Sequence, residues 1–222
     1  MKSGSAGYRS PGSGSVDYPD SDGQPMADNT EHFHFIHTFQ GNLDALLPDF
    51  VAGDHLWYPV QGRPDIRVAP DVYVAMGRPK GHRGSYKQWE EEGVPLQVVF
   101  EWWSPRNDFA HQVEKLRFYD RYGVDELYTF DQLRRVFNAF HRVDGQLDPV
   151  ATEGGVQSPL LGIRLALEDE ELKGWRPDGR PFLRMTEMEA NARLAEEKLR
   201  LSEARAEALA ARLRALGVDP SE

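Results

Sequence analysis

Leu96-Gln97-Val98-Val99-Phe100-Glu101-Trp102-Trp103 is apolar at every position except Gln97 and Glu101. So hydrophobic a run reads as a buried strand. Alternation along it sets Gln97, Val99, Glu101 and Trp103 on one face, and Val98, Phe100 and Trp102 on the other. A carboxylate in such a strand carries a desolvation cost unless a cation or hydrogen-bond donors meet it. A second acid, Asp71, opens the similar run Pro70-Asp71-Val72-Tyr73-Val74-Ala75-Met76. Carboxylates on neighbouring strands can share one divalent ion, because hard cations such as Mg2+ (or Mn2+) take oxygen ligands. Lys115 follows on an expected helix over residues 108–122, sharing a stripe with Asp108, His111 and Tyr122 beside an apolar face of Phe109, Val113 and Leu116. Two acids and a lysine in this order point to metal-assisted hydrolysis of a phosphodiester.

Working outward, the 222 residues suit one domain with appendages. The absence of cysteine excludes disulfides and thiolate zinc sites and suits the cytoplasm. No apolar run is long enough to span a bilayer, and the N-terminus lacks the layout of a secretory signal. A cytoplasmic protein without membrane contact is therefore expected. The formal net charge of −10 disfavours broad attraction to nucleic acid. A local exception lies at residues 62–88, where Arg63, Arg67, Arg78, Lys80, Arg83 and Lys87 face only Asp65 and Asp71.

Residues 1–29, rich in Ser, Gly, Pro and Asp, read as a disordered tail. Apolar residues at Phe33, Ile36, Phe39, Leu43 and Leu46 follow the helical period over 30–47, with Thr30 as cap. Strands are expected at 55–60, in the Asp71 and Glu101 runs, and at 126–130, 135–142 and 158–167. Residues 77–94 read as a long basic loop, and Ser104-Pro105-Arg106-Asn107 as a turn. The domain at 30–182 is thus α/β, a mixed central sheet flanked by helices. From residue 183 the pattern becomes heptad. Met185, Ala192, Leu199, Ala206 and Leu213 take position a, and Met188, Ala195, Ser202, Leu209 and Leu216 position d. Glu189, Glu196 and Glu203 at e complement Lys198, Arg205 and Arg212 at g only in parallel register, so a C-terminal coiled coil and a homodimer are expected; the bland alternative is a charged surface helix.

The ordered series Arg67-Val-Ala-Pro-Asp71, Val99-Phe-Glu101 with Ser104-Pro105, Lys115 with Tyr119, Gly123-Val-Asp-Glu-Leu-Tyr128 and Ser158-Pro-Leu-Leu-Gly162 resembles the Uma2 family of restriction-endonuclease-like bacterial proteins. The resemblance implies the PD-(D/E)XK nuclease fold, with the catalytic lysine on the helix after the second acid. It implies Asp71 and Glu101 as ligands of Mg2+ (or Mn2+), Lys115 as the catalytic cation, DNA as partner, and a further acid from the first helix, for which Glu31 is the local candidate. Where the superfamily sets a lysine two residues after the acid, this chain has Trp103, which can stack or fill space but supplies no cation.

Arg78, Lys80, Arg83 and Lys87 are the expected phosphate contacts, and Lys115 rather than Lys87 the catalytic cation. Taken singly, Asp71 reads as a turn residue, Glu101 as a salt-bridged structural acid and Lys115 as a solvated one. Asp108 reads as an N-cap. His32, His34 and His37 resemble a metal cluster but read as ordinary helix histidines. Two functions follow: a metal-dependent DNA endonuclease, or a non-catalytic DNA-binding or assembly module working through its C-terminal helix.

Overall fold

The apolar runs pair into a six-stranded mixed sheet, seen in a computed structural model that describes residues 16–21, 23, 26–104 and 108–215. In chain order the elements begin with α1 (Thr30–Leu46), β1 (Asp49–Gly53), β2 (Trp57–Tyr58), β3 (Val72–Pro79) and β4 (Tyr86–Lys87). There follow β5 (Val98–Trp103), α2 (Phe109–Arg121), β6 (Glu126–Asp131), β7 (Val136–Val143) and β8 (Gln146–Val150). The chain then forms β9 (Val156–Gln157), β10 (Arg164–Glu168), β11 (Glu171–Trp175) and α3 (Met185–Ala215). The main sheet has the order β1-β3-β5-β6-β7-β8. Only β5 and β6 run parallel within it, because α2 carries the chain back between them.

Each face of this sheet is covered. Phe35, Ile36, Phe39 and Leu43 of α1 bury against Val72, Val74, Phe100, Trp102 and Phe130, joined by the three-stranded β11-β10-β9 sheet through Ile163 and Leu165. On the other face, Tyr119 and Leu116 of α2 pack with Tyr73, Val99 and Leu127, together with Trp57 and Tyr86 of the parallel β2–β4 pair. Burial on both sides explains why β5 reads as an almost continuous apolar run; β6 is equally buried but sets Glu126, Thr129 and Asp131 among Leu127, Tyr128 and Phe130.

Several expectations need correcting. Asn29, not Thr30, caps α1, its side chain accepting from the His32 N–H at 2.9 Å. The expected loop 77–94 holds the end of β3, all of β4 and a 3-10 turn at Gln88–Glu90. The strand expected at 55–60 shrinks to β2, while β1 and β11 went unread because short segments carry little periodicity. Phe109 is exposed rather than part of an apolar face; α2 buries Gln112 and Tyr119. Asp108 does cap α2, accepting from the His111 N–H at 2.8 Å. The turn at Pro105–Asn107, most of the expected tail and Leu216 lie outside the described residues. The described part of that tail is docked: Tyr58 Oη donates to the Pro19 carbonyl at 2.6 Å, Ser85 Oγ to Asp20 at 3.1 Å, and Tyr18 lies 4.9 Å from Trp89. No described helix is long and apolar enough to cross a membrane.

The segments Gly123–Tyr128 and Ser158–Gly162 prove to be one structural joint. The buried Glu126 carboxylate accepts from Tyr128 Oη at 2.8 Å, Ser158 Oγ at 2.5 Å and the Leu160 N–H at 2.7 Å. It pins the turn before β10 to the head of β6. Removing one donor leaves a buried acceptor short of a partner, at a cost of about 1–3 kcal/mol. Ser158→Ala should therefore lower stability by that much, seen as a reduced urea midpoint with an unchanged m-value in equilibrium unfolding.

Candidate functional site

Strand register brings the two acids together. Val72, Tyr73 and Val74 pair antiparallel with Phe100, Val99 and Val98. One step further along the same register, Asp71 stands opposite Glu101, where directly opposed Cβ atoms lie about 4.5–5.5 Å apart. Alternation turns Glu101 to the α2 side, the face of Tyr73 and Val99, while the Asp71 side chain, at the end of the ladder, reaches Trp102 and His32 of α1. Asp71 sits just ahead of β3 and closes the ladder with its own side chain, Oδ2 accepting the Trp102 N–H at 2.5 Å. Gly53 permits this placement: a Cβ there would stand 3.0 Å from the Asp71 carbonyl oxygen and 2.9 Å from Ile36 Cγ2.

Two acids this close, both buried, need compensation, and each has its own neighbour: the Lys115 ammonium beside Glu101 and the His32 imidazole beside Asp71. Lys115 Nζ donates to Glu101 Oε2 at 2.7 Å. Tyr119 Oη, one helical turn on, donates to Oε1. On the other flank His32 Nε2 stands 2.9 Å from Asp71 Oδ1, though its N–H is not aligned on that oxygen as a hydrogen bond. The Asp28 N–H donates to His32 Nδ1 at 3.2 Å. That bond leaves the proton of the neutral ring on Nε2, toward Asp71.

Burial pushes the Glu101 carboxyl up to about 7; the Lys115 charge pulls it back less than burial and nearby Asp71 raise it. Burial alone would depress Lys115, but Glu101, followed by Asp71, outweighs it and holds the ammonium above its ordinary pKa. His32 follows the same pattern: burial lowers it, and the Asp71 carboxylate more than offsets this, so its pKa is raised. Tyr119 is driven well up by burial and by Glu101, and stays a phenol.

Of the sequence candidates, Asp71, Glu101 and Lys115 therefore come together. Trp103 is buried on the Glu101 face, its indole N–H without a partner among the described residues, yet Lys115 still touches Glu101. Glu31 does not join the cluster. It is exposed, and its carboxylate is occupied by Gln132 at 2.8 Å and Arg135 at 3.6 Å. The residue that reaches Asp71 from α1 is the next one, His32. Its signal was present in the sequence: His32 heads the buried stripe of Phe35, Ile36, Phe39 and Leu43, whereas His34 and His37 lie off it.

The expected phosphate grip also changes. Arg78 pairs with Glu92 at 3.1 Å, Lys80 with Asp44 at 3.1 Å, Arg83 with Glu91 at 2.5 Å and Lys87 with Glu90 at 3.8 Å. Arg83 also lies over the Phe50 ring at 4.0 Å. Three of these four partners come from the acidic run directly after the basic stretch, so each expected phosphate contact has an acidic neighbour in this structure.

Among the described residues no three His, Asp or Glu side chains form a ready-made metal cage. The donor chemistry still fits Mg2+, which is commonly bound by one or two carboxylates and keeps several waters. Each partnered oxygen of Asp71 and Glu101 retains a second lone pair for such an ion.

Residues 11–169 match the Uma2 family, described as "Putative restriction endonuclease". No curated protein matches the sequence. Among solved structures, a putative nuclease belonging to DUF820 from Anabaena variabilis is similar with a TM-score of 0.40 and 10% identity, over 60% of this chain and 75% of that one. The family match spans the strands of both acids, α2 and all of the six-stranded sheet. The chain belongs to the Uma2 family of restriction-endonuclease-like proteins.

Proposed function

We propose that the protein is a divalent-metal-dependent endonuclease that hydrolyses phosphodiester bonds in DNA. The observation that carries this reading is the contact of Lys115 with Glu101 beside Asp71, on a face built by register rather than by a loop. Asp71 and Glu101 would hold Mg2+ (or Mn2+), which when bound supplies charge stabilisation at a phosphoryl oxygen and a water of lowered pKa. Lys115 keeps Glu101 placed, and its ammonium is positioned to orient the attacking water or to neutralise charge growing on the scissile phosphate. Tyr119 fixes the second Glu101 oxygen, and His32 steadies Asp71, so the two carboxylates keep their spacing. One observation favours the alternative of a non-catalytic module: Glu101 is only 1% exposed and Asp71 only 9%, so a substrate needs the site to open.

The two readings separate on supercoiled DNA with Mg2+ or Mn2+. Lys115→Ala should slow nicking by about 100-fold or more, the scale of losing one transition-state donor. Lys87→Ala, whose ammonium sits near Glu90 and Tyr18, should cleave like wild type. Wild-type protein that never nicks under either metal would decide for the non-catalytic module.

Metal affinity should depend on pH through Glu101. With its pKa raised to about 7, the carboxyl keeps a proton below that pH, and a metal must displace it. Mg2+ binding by calorimetry should strengthen by up to about tenfold per pH unit below 7 and level off above it. In metal-free protein the raised carboxyl favours the fold below its unfolded value, and that advantage is lost as pH rises through 7. Glu101→Gln should flatten the stability profile between about pH 5 and 8.

A further inference from the structure

The helix α3 has 31 residues, none of them buried. At ~1.5 Å per residue it extends about 46 Å. Its root is fixed: the buried Asn42 side chain donates to the Leu183 carbonyl at 2.8 Å and accepts the Leu183 N–H at 3.1 Å. Beyond this clasp the helix leaves its own apolar residues open, Leu199 at 60% and Leu209 at 62% exposed among them.

The charges of α3 sort into two sets. Glu189 with Arg193 at 3.3 Å, and Glu197 with Arg200 at 2.7 Å, pair within the helix. Lys198 and Arg205 at g, and Glu196 and Glu203 at e, have no ion-pair partner among the described residues. In a parallel two-stranded coil a g residue meets the e residue of the partner's next heptad, which sets Lys198 against Glu203 in both directions. An antiparallel coil would set g against g and e against e, like against like.

We propose that α3 pairs with α3 of a second copy of this chain as a parallel coiled coil along the Met185, Met188, Leu199, Leu209 and Leu213 seam. The occupant is argued from complementarity: Lys198 and Glu203, without ion-pair partners among the described residues of one chain, meet Glu203 and Lys198 of an identical chain in parallel register, whereas the antiparallel register sets like against like. Both domains are then clasped at the same end of the rod and lie side by side. Ala192, Ala195, Ser202 and Ala206 thin the seam, so the dimer dissociates on dilution. The pairing is independent of catalysis and extends the endonuclease reading to a two-site particle.

Sedimentation equilibrium of the full chain should give twice the 25.2 kDa chain mass at high concentration. The discriminating pair of variants uses leucines of similar exposure: Leu199→Lys with Leu209→Lys on the seam, and Leu194→Lys with Leu201→Lys off it, where exposure is 59% and 51%. The seam variant should be a monomer, and the off-seam variant should still dimerise. A wild-type chain that stays monomeric at hundreds of micromolar, or equal loss in both variants, overturns the pairing. Because the chain has no cysteine, Met188→Cys reports direction cleanly. Oxidation should link two copies through this one position, and a dimer that does not cross-link overturns the parallel orientation. Nicking by the seam variant tells loss of the dimer from loss of the endonuclease itself.

Discussion

Two carboxylates facing one another across neighbouring buried strands repel, and most of the local architecture responds to that repulsion. Asp71 gives one oxygen to the Trp102 amide and the other to His32; Glu101 gives its two to Lys115 and Tyr119. Those partners come from β5, from α1 on one flank and from α2 on the other, so the acid pair ties to the sheet both helices that the apolar clusters seat there. What remains uncompensated is visible in Glu101, whose carboxyl is held near neutrality by burial. Under the proposed function, a divalent ion would take the place of the Glu101 proton, because it supplies positive charge beside two acids.

Charge elsewhere follows a different rule. The chain carries a formal net charge of −10, and three cations of its most basic stretch, Arg78, Arg83 and Lys87, pair with Glu92, Glu91 and Glu90 at the following turn. Counting cations over residues 62–88 stops just short of the acids that neutralise them. A window of sequence charge describes a surface only when the fold keeps its neighbours apart; here the 3-10 turn at Gln88–Glu90 folds them back. The endonuclease reading therefore rests on the buried cluster rather than on an electrostatic grip.

The sheet was legible chiefly through β5, which is covered on both faces and apolar at all but Glu101, and α1 carries a clear helical period. Asp71 and Glu101 stood out in the sequence as acids in apolar runs, where burial makes charge costly, and Lys115 by its place on the following helix together with the family resemblance. Two-residue strands such as β2, β4 and β9 have no period to read, and their existence depends on tertiary pairing. Glu31 and His32 are neighbours in sequence, about 100° apart in helix rotation, and sequence chemistry favoured the acid. Rotation decided otherwise, because His32 lies in line with the apolar stripe that docks α1.

The side-chain bond from Asp71 to the backbone of Trp102 makes the catalytic candidates part of the scaffold. A chain that lost Glu101 would leave the half-buried Lys115 ammonium and the buried Tyr119 hydroxyl without their acceptor, and a chain that lost Asp71 would open the end of the β3–β5 ladder. Selection for foldability alone would thus retain both acids. In a protein built this way the acid pair belongs to the architecture as much as to any chemistry it performs.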